Sequence, residues 1–388
     1  MKKRLIIVGI SVLVFILVLI SAVFIYMNTS YHNEFVDNFL YSIGIDNNDD
    51  KEENIQKRHD DNLSQSFVLS RDPIALNDAS NSRYARYDNG ILVVNDNLMT
   101  LYTNTGKTTW SVPIQISEPI LKVSGKKILI AEENGKKFEL YNGKKSLYKK
   151  ELENNIINAN LSSDGDVTLV TERNYYKGSV SVYNKDGEEV FLRNFGTDSV
   201  LASAISKQRK LAVSLLSVDE KVNSKIVFLD INKTDDGTSK VYENTLVYDL
   251  DFSGETLFAY CDDKIVALNK NSKEKWIEEF GEKNLCYYNK DTSNNRLLLL
   301  DNSNEGEFIL FNSSGITKKM RTDIIPEFCD VNSNKIIYND ERNLYLTKTN
   351  GDHLAKYTTS RDIYKTFFID SKNVLVVYNS SIEFLKIK

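Results

Sequence analysis

Histidine is nearly absent from this chain of 388 residues, which contains only three: His32, His59 and His353. Catalysis by Ser/His/Asp or Cys/His groups needs a histidine held on a rigid element beside a nucleophile. His32 and His59 precede the part of the chain that is rich in strand patterns, and His353 lies in a predicted exposed turn. The sequence therefore offers no candidate for a catalytic set of this kind.

Cysteine is equally scarce, with Cys261, Cys286 and Cys329 each inside an apolar, strand-like run. An odd, low count excludes a disulfide-rich scaffold. One bridge is compatible with this count, but we expect three buried free thiols. None of them has a histidine at metal-ligand spacing, which argues against a zinc site.

Signature motifs of nucleotide and metal sites are also missing. The chain contains neither a G-x-x-x-x-G-K-[ST] loop nor a G-x-G-x-x-G fingerprint. The segments at 164–166 (DGD) and 235–237 (DDG) lack the spacing of a calcium loop and are typical of turns. Basic residues form no cluster, and the net charge of −5 disfavours phosphate binding. We expect no cofactor, no metal and no nucleic-acid partner.

One long hydrophobic run is present. Residues 5–27 contain no charged side chain, and about 20 apolar residues in a helix span the roughly 30 Å hydrocarbon core of a membrane. A cleaved signal peptide is the alternative, but its apolar region is shorter, about 7–15 residues, and ends at a small-residue site that this run lacks. The sequence predicts an uncleaved signal anchor, with basic residues 1–4 as a cytoplasmic tail.

Two short segments follow the predicted anchor. Apolar residues between 28 and 45 recur at helical spacing, which predicts a juxtamembrane helix. It is interpreted as a continuation of the anchor helix with interfacial aromatics, and a contact surface for a partner or for self-association is the alternative. Residues 46–63 are polar and mostly acidic, which predicts a flexible stalk. The remainder, 64–388, is then an extracytoplasmic domain held at the cell membrane by a single span.

From residue 64 to the end, one pattern recurs eight times. A short run that is apolar on both faces is followed by an alternating strand, a Gly/Asn turn and a more polar strand. Runs apolar on both faces belong to strands that are covered on both sides. The eight runs lie at 91–94, 128–130, 167–170, 211–213, 257–260, 297–300, 336–338 and 374–377.

A period of about 35 to 50 residues between turns predicts a β-propeller, in which four-stranded blades cover one another's faces. A β-sandwich with a second β domain is the alternative, but it predicts no fixed period. The predicted fold class is all-β with eight four-stranded blades, or seven if the Lys-rich 205–245 repeat is irregular. The last repeat ends after three strands. We expect the strand-like segment 64–70 (SQSFVLS) to complete it and close the ring.

The turn TGKTTW at 105–110 resembles the T-G-K-x-x-W element of quinoprotein-type (PQQ-like) propeller repeats, and ALNKNSKEKW at 267–276 resembles a shortened form without the glycine. With its short basic tail, single predicted span and this domain, the whole chain resembles the membrane-anchored PQQ-like propellers of Firmicutes, a family of unknown function, and the repeat pattern that carries the resemblance covers residues 64–388. In such repeats the tryptophan docks one blade on the next. The resemblance implies blade-docking roles for Gly106, Trp110, Gly143, Gly187, Trp276, Gly315 and Gly351.

The resemblance also bears on function. Quinoprotein dehydrogenases carry an adjacent Cys-Cys pair and a calcium set that this chain lacks. The non-catalytic branch, typified by the propeller subunit of the outer-membrane β-barrel assembly machinery, implies a docking platform. We therefore expect a non-enzymatic binding or scaffold protein for a protein or a cell-envelope polymer. The alternatives are a glycan-active enzyme with channel-facing carboxylates and a sensor that signals through the membrane helix.

Overall fold

The computed structural model describes residues 63–218, 221–233, 237–289, 296–303 and 305–388. The predicted cytoplasmic tail, membrane anchor and juxtamembrane helix, and nearly all of the predicted stalk, lie outside the described residues and stay predictions. All regular elements in the described ranges are β-strands, numbered β1 to β33. In these ranges no helix has the length and apolar character needed to cross a membrane.

The strands form eight antiparallel sheets, and each sheet is a blade made of consecutive hairpins. The inner strands are β3 Arg83–Tyr87, β7 Pro119–Ser124, β11 Ile156–Leu161, β15 Ser199–Ile205, β19 Val247–Ser253, β23 Asn284–Asn289, β27 Phe328–Asn332 and β31 Lys365–Phe368. The second strands are β4 Gly90–Val94, β8 Lys127–Glu132, β12 Val167–Thr171, β16 Lys210–Val218, β20 Thr256–Cys261, β24 Arg296–Asp301, β28 Lys335–Asn339 and β32 Asn373–Val377.

The outer half of each blade has the two remaining strands. The third strands are β5 Leu98–Thr103, β9 Lys137–Asn142, β13 Gly178–Tyr183, β17 Val222–Asp230, β21 Lys264–Leu268, β25 Gly306–Asn312, β29 Asn343–Lys348 and β33 Ser381–Ile387. The outer strands are β6 Thr108–Pro113, β10 Lys145–Glu151, β14 Glu189–Phe195, β18 Thr238–Glu243, β22 Glu274–Glu279, β26 Gly315–Thr322, β30 His353–Thr358 and, for the eighth blade, β1 Phe67–Leu69. The predicted eight-bladed propeller is confirmed, and the seven-blade and sandwich alternatives are wrong.

The core lies between blades rather than inside them. The predicted apolar runs are the second strands, and β4, β12, β20 and β32 are buried at every residue. One sheet has no interior, so its apolar side chains are covered by the neighbouring blade. Phe258 of the fifth blade, for example, packs edge-on against Phe311 of the sixth, with ring centroids 5.3 Å apart. Burial between successive blades is what stabilises the ring.

The two ends of the domain close the ring. Strand β1 pairs with β33, the third strand of the last blade, so that Phe67 lies opposite Ile387. The backbone N–H of Ser66 donates to the carbonyl of Lys388 (3.1 Å), and the N–H of Lys388 donates back (2.9 Å). The short strand β2, Ile74–Ala75, also pairs with β33. The expected completion of the last blade by the segment at 64–70 is confirmed.

Two sequence-based expectations about single residues are wrong. Cys261 and Cys329 are buried free thiols as predicted, but Cys286 is exposed because the inner strand β23 turns its side chain toward the ring axis. His353 opens strand β30 rather than lying in the preceding turn, and it is partly buried. Neither change alters the fold.

Candidate binding channel

A cavity of about 1010 Å³ lies on the ring axis. All eight inner strands contribute to its wall, so the cavity is the central channel of the propeller. Four serines, each at or just after the C-terminal end of an inner strand, extend the wall toward one face of the ring. They are Ser124, Ser162, Ser206 and Ser253. We call this face the turn face, and the face with the connections between blades the loop face.

Aromatic side chains line one side of the channel. This aromatic arc consists of Tyr248, Tyr288, Tyr287, Phe367 and Tyr84, from the inner strands of the fifth, sixth, eighth and first blades. The rings of Tyr248 and Tyr288 have centroids 6.0 Å apart, and Tyr84 stacks on Phe367 at 5.4 Å. Ring–ring contacts of this kind hold side chains in place beyond the effect of burial alone.

Acidic groups beside the aromatic arc are bonded to neighbouring side chains. Asp249 accepts hydrogen bonds from the Tyr288 hydroxyl (2.7 Å) and from its neighbour's N–H (2.8 Å). Burial, followed by the adjacent Asp249 carboxylate, raises the pKa of Tyr288 far above its ordinary value, so the phenol stays a donor. Asp251 forms an ion pair with Arg296, whose guanidinium lies 4.7 Å from the Phe258 ring.

Asp330 connects four blades at the channel wall. Its side chain is completely buried, and it pairs with Arg86 of the first blade at 2.6 Å. It also accepts hydrogen bonds from the Asn289 amide of the sixth blade and from the N–H of Phe368 in the eighth, at 2.7 Å for the latter. A buried carboxylate is stable only when such partners satisfy it. Asp330 therefore links the sixth, seventh, eighth and first blades, where the ring closes.

The opposite side of the channel is smaller and less aromatic. Asn160 of the third blade donates to the carbonyls of Ser203 in the fourth blade and Leu250 in the fifth, both at 3.3 Å. Its own oxygen accepts from the N–H of Leu161 at 2.8 Å. The aliphatic members of this wall are Leu121, Val123, Leu161, Ala204 and Ile205. The channel thus has an aromatic, charged side and an aliphatic, amide- and hydroxyl-bearing side.

The predicted docking glycines all lie in or beside the turns before outer strands, but their surroundings differ. A Cβ at Gly106 would lie 2.6 Å from the Phe384 ring of the eighth blade, and one at Gly187 would lie 2.8 Å from the Tyr148 ring of the second. At Gly143 the nearest atom is the Tyr87 hydroxyl of the first blade, at 3.6 Å. A Cβ at Gly315 or Gly351 would meet nothing within 4 Å.

Both predicted docking tryptophans lie between blades. Trp110 packs in the cluster between the first two blades and meets Tyr87 edge-on, with centroids 6.3 Å apart. Trp276 lies between Phe258 of its own blade (5.9 Å) and Phe311 of the next (5.8 Å). Their indole rings therefore contribute to the interfaces that hold neighbouring blades together.

The sequence reading did not identify the channel residues. The inner strands were not predicted as separate elements because they are not continuous apolar runs. A signal was present in β19 (VYDLDFS), where Asp249 and Asp251 alternate with apolar residues. Side chains two apart on a strand share a face, so this alternation indicates a strand with one polar, solvent-facing side. Among the described residues, no group of three or more His, Cys, Asp or Glu side chains could hold a metal ion.

Eight radial sheets around an axial channel define this protein as an eight-bladed β-propeller. The chain belongs to the family described as a family of unknown function, DUF5711, which matches residues 69–387. No curated protein matches it.

Solved structures with the same fold are similar at low identity. BamB from Moraxella catarrhalis is 12% identical with a TM-score of 0.53, over 82% of this chain and 97% of BamB. The C-terminal WD40 domain of Sif2 is 12% identical with a TM-score of 0.58, over 84% of this chain and 100% of that domain. The dihydro-heme d1 dehydrogenase NirN is 15% identical with a TM-score of 0.52, over 83% of this chain and 79% of NirN. These similarities establish the fold alone.

Proposed function

We propose that this protein is a non-enzymatic, membrane-anchored binding platform, whose propeller lies outside the cytoplasm and docks a protein or a cell-envelope polymer. The observation that supports it most is that the channel carboxylates are bonded to other strands or blades. Asp249, Asp251 and Asp330 all hold contacts between strands or blades. A general acid or base needs a side chain that can exchange its proton with a substrate, and these three carboxylates are engaged in holding the ring.

The position of the chain ends fits an anchored ring. Ser66 and Lys388 pair at the turn face, where the third strands end and the outer strands begin. A membrane anchor preceding residue 64 would therefore be attached to the turn face. The loop face would then be free of the attachment and available to a partner.

The loop face has apolar side chains suited to a protein contact. Ile325 and Tyr364, in the connections before the seventh and eighth blades, are 41% and 47% exposed. Burial, together with the carboxylates of Glu341 and Asp340, raises the pKa of Glu327 above its ordinary value, so acidic loops converge beside these residues. Basic groups lie there too, since Arg342 pairs with Asp362 at 3.1 Å. Exposed apolar groups with charged groups around them fit a protein partner with a complementary, partly apolar segment.

Affinity capture of the full chain from detergent-solubilised membranes tests the proposal, with the tag placed before Met1. Residues 1–63 with the same tag are the control for capture by the anchor. We expect a partner enriched by the full chain alone, and weakened by Ile325→Ser with Tyr364→Ser. The matched variant Leu192→Ser alters an exposed apolar residue on an outer strand and should leave capture intact. No enrichment over residues 1–63 would refute the platform.

An extracytoplasmic glycan-active enzyme is the second candidate, and Asp249 and Asp251 are the observation that favours it. They lie two apart on β19, both line the channel, and their Cα atoms are therefore roughly 7 Å apart. Glycosidase carboxyl pairs lie about 5–9 Å apart. Release of reducing ends from an oligosaccharide by the full chain, abolished in both Asp249→Asn and Asp251→Asn, would establish this activity and replace the non-enzymatic proposal.

A further inference from the structure

The axial channel has the size and shape of a ligand site rather than of a packed core. Its volume of about 1010 Å³ is at the upper end of the roughly 300–1,000 Å³ that small-molecule sites occupy. Its wall contains both polar and apolar side chains, and serines extend the wall at the turn face. A ligand that fills it would be at the large end of small molecules and would meet both kinds of surface.

The aromatic arc provides flat surfaces along the channel. Tyr248 and Tyr288 are half-buried and line the cavity, and Tyr288 is supported from behind by the stacked ring of Tyr260 at 4.4 Å. Tyr84 and Phe367 form a second flat surface farther round the ring. The C–H faces of pyranose rings are apolar and pack on aromatic rings, and a tyrosine buries this area at little entropic cost.

Planar hydrogen-bonding groups lie beside these rings in fixed orientations. The side chain of Asp251 is 21% exposed although it is paired with Arg296, and that of Arg86 is 24% exposed although it is paired with Asp330. Carboxylate and guanidinium groups bind two adjacent hydroxyls at once. Because contacts within the protein already orient them, little conformational entropy is lost when a ligand binds.

The charges of the channel wall are mixed. The wall contains four basic side chains, Arg86, Lys122, Lys207 and Arg296, and three acidic ones, Asp249, Asp251 and Asp330. A polyanion such as a nucleic acid or a phosphate-rich polymer needs a wall of one positive sign. A wall with interspersed signs favours a ligand that is neutral but rich in hydroxyls.

We propose that the axial channel binds a neutral oligosaccharide, with pyranose rings stacked on the aromatic arc and hydroxyls held by Asp251 and Arg86. The inference deepens the proposed platform, because it assigns the channel a glycan segment of the cell envelope as ligand. The loop face remains available to a protein partner. The two surfaces are therefore separable by experiment.

Isothermal titration of the purified full chain in detergent tests the inference. Cellotetraose and chitotetraose are the neutral probes, and tetragalacturonate is an anionic probe of equal length. We expect saturable binding of at least one neutral probe and weaker binding of the anionic one. Tyr248→Ala should weaken neutral binding about tenfold, or roughly 1.4 kcal/mol, and Asp251→Asn, which preserves shape, should weaken it severalfold.

The matched control is Tyr175→Ala, which removes a fully exposed tyrosine from a connection at the loop face and should leave binding unchanged. Thermal unfolding of each variant shows whether it still folds. Absence of saturable binding by both neutral probes, tighter binding of tetragalacturonate, or binding unaffected by both channel variants would overturn the inference. Capture of a protein partner sensitive to Ile325 and Tyr364 would survive that result, so the platform and the channel ligand fail separately.

Discussion

Arg86, on the inner strand of the first blade, donates a hydrogen bond of 2.6 Å to Asp330 on the inner strand of the seventh blade. The two residues are 244 positions apart in the chain, and the eighth blade lies between their sheets. Arg86 also donates to the carbonyl of Val331 at 3.0 Å. The bond therefore supplements the β1–β33 pairing with a second closure, on the axis rather than at the rim.

Replacement of Asp330 should destabilise the whole ring. Asp330→Ala leaves the Arg86 guanidinium and the N–H of Phe368 without their carboxylate. Breaking a buried pair in this way costs about 3–5 kcal/mol. We expect a loss near the lower end, because Arg86 is partly exposed. Urea unfolding followed by tryptophan fluorescence measures it.

The matched change for this prediction is Asp352→Ala, which removes an exposed partner of Lys348. Surface pairs contribute at most about 1 kcal/mol, so this variant should unfold near the wild-type midpoint. Equal losses from the two substitutions would show that the Asp330 contacts do not hold the ring.

Proline in strand β1 should distinguish the two edges of that strand. In an antiparallel pair, hydrogen-bonded partners alternate. Since Ser66 and Lys388 exchange both bonds, Val68 and Lys386 form the next bonded pair. Val68→Pro removes a donor to β33 and should cost about 2 kcal/mol. Differential scanning calorimetry of the full chain is the measurement.

Leu69→Pro is the control for strand β1. The N–H of Leu69 points away from β33, and proline is tolerated at such edge positions. A smaller decrease in melting temperature is expected for Leu69→Pro than for Val68→Pro. If Leu69→Pro is as damaging as Val68→Pro, the ladder between β1 and β33 does not set the stability of the closing blade.

Gly106→Ala should lower the free energy of unfolding by disturbing the contact between the first and last blades. The residue has φ of +81°, and an added Cβ would lie 2.6 Å from the Phe384 ring and 2.7 Å from Cδ of Arg71. Left-handed backbone costs about 1–2 kcal/mol for alanine, and overpacking adds about 1–3 kcal/mol. Both penalties should appear in the free energy of unfolding.

Gly351→Ala isolates the backbone part of that penalty. Gly351 has φ of +96° but no atom within 4 Å of an added Cβ. Only the backbone cost is expected there, so the difference between the two variants reports the contact with Phe384. Indistinguishable losses would place Gly106 among turn residues without a docking role.

Cys286 should be accessible yet unreactive at neutral pH. Although the residue is exposed, its sulfur is partly buried, and this burial, followed by the hydrogen bond to Asp301 (2.9 Å), raises the pKa of Cys286 to about 12. The thiolate is the nucleophile, so iodoacetamide labelling at pH 7 should be slow and should rise steadily up to strongly alkaline pH. Asp301→Asn removes the neighbouring charge, lowers the pKa and should speed labelling.

The buried thiols are the internal reference for this prediction. Cys261 and Cys329 should label only after unfolding, and Cys286→Ser should abolish labelling of the native protein. Rapid labelling of Cys286 at pH 7 that Asp301→Asn does not change would contradict the prediction.

Parts of the fold that follow from local patterning were predictable. The second strands are continuous apolar runs because both faces are covered, and Val374 to Val377 is such a run in the last blade. The turn at Gly106 required positive φ, which identified it as a hairpin position. The missing fourth strand of the last repeat identified segment 64–70 as its complement. Each signal depends on burial or backbone geometry within a few residues.

The channel could not be predicted in the same way, because its residues come from separate blades. Asp330 carries no mark in the sequence that separates it from the other acidic residues, and its partners Arg86 and Asn289 are 244 and 41 residues away. Cys286 lies in a strand whose apolar neighbours predicted burial, yet ring geometry turns it toward the axis.

The amino-acid sequence alone determined the repeat period, the strands covered on both faces and the partner of the final blade, because these depend on hydrophobic patterning and turn chemistry between near neighbours. Only the tertiary structure decided which acidic and aromatic side chains meet on the axis. Closing eight sheets into a circle brings together residues hundreds of positions apart, and interactions between near neighbours in the chain do not specify which of these residues meet.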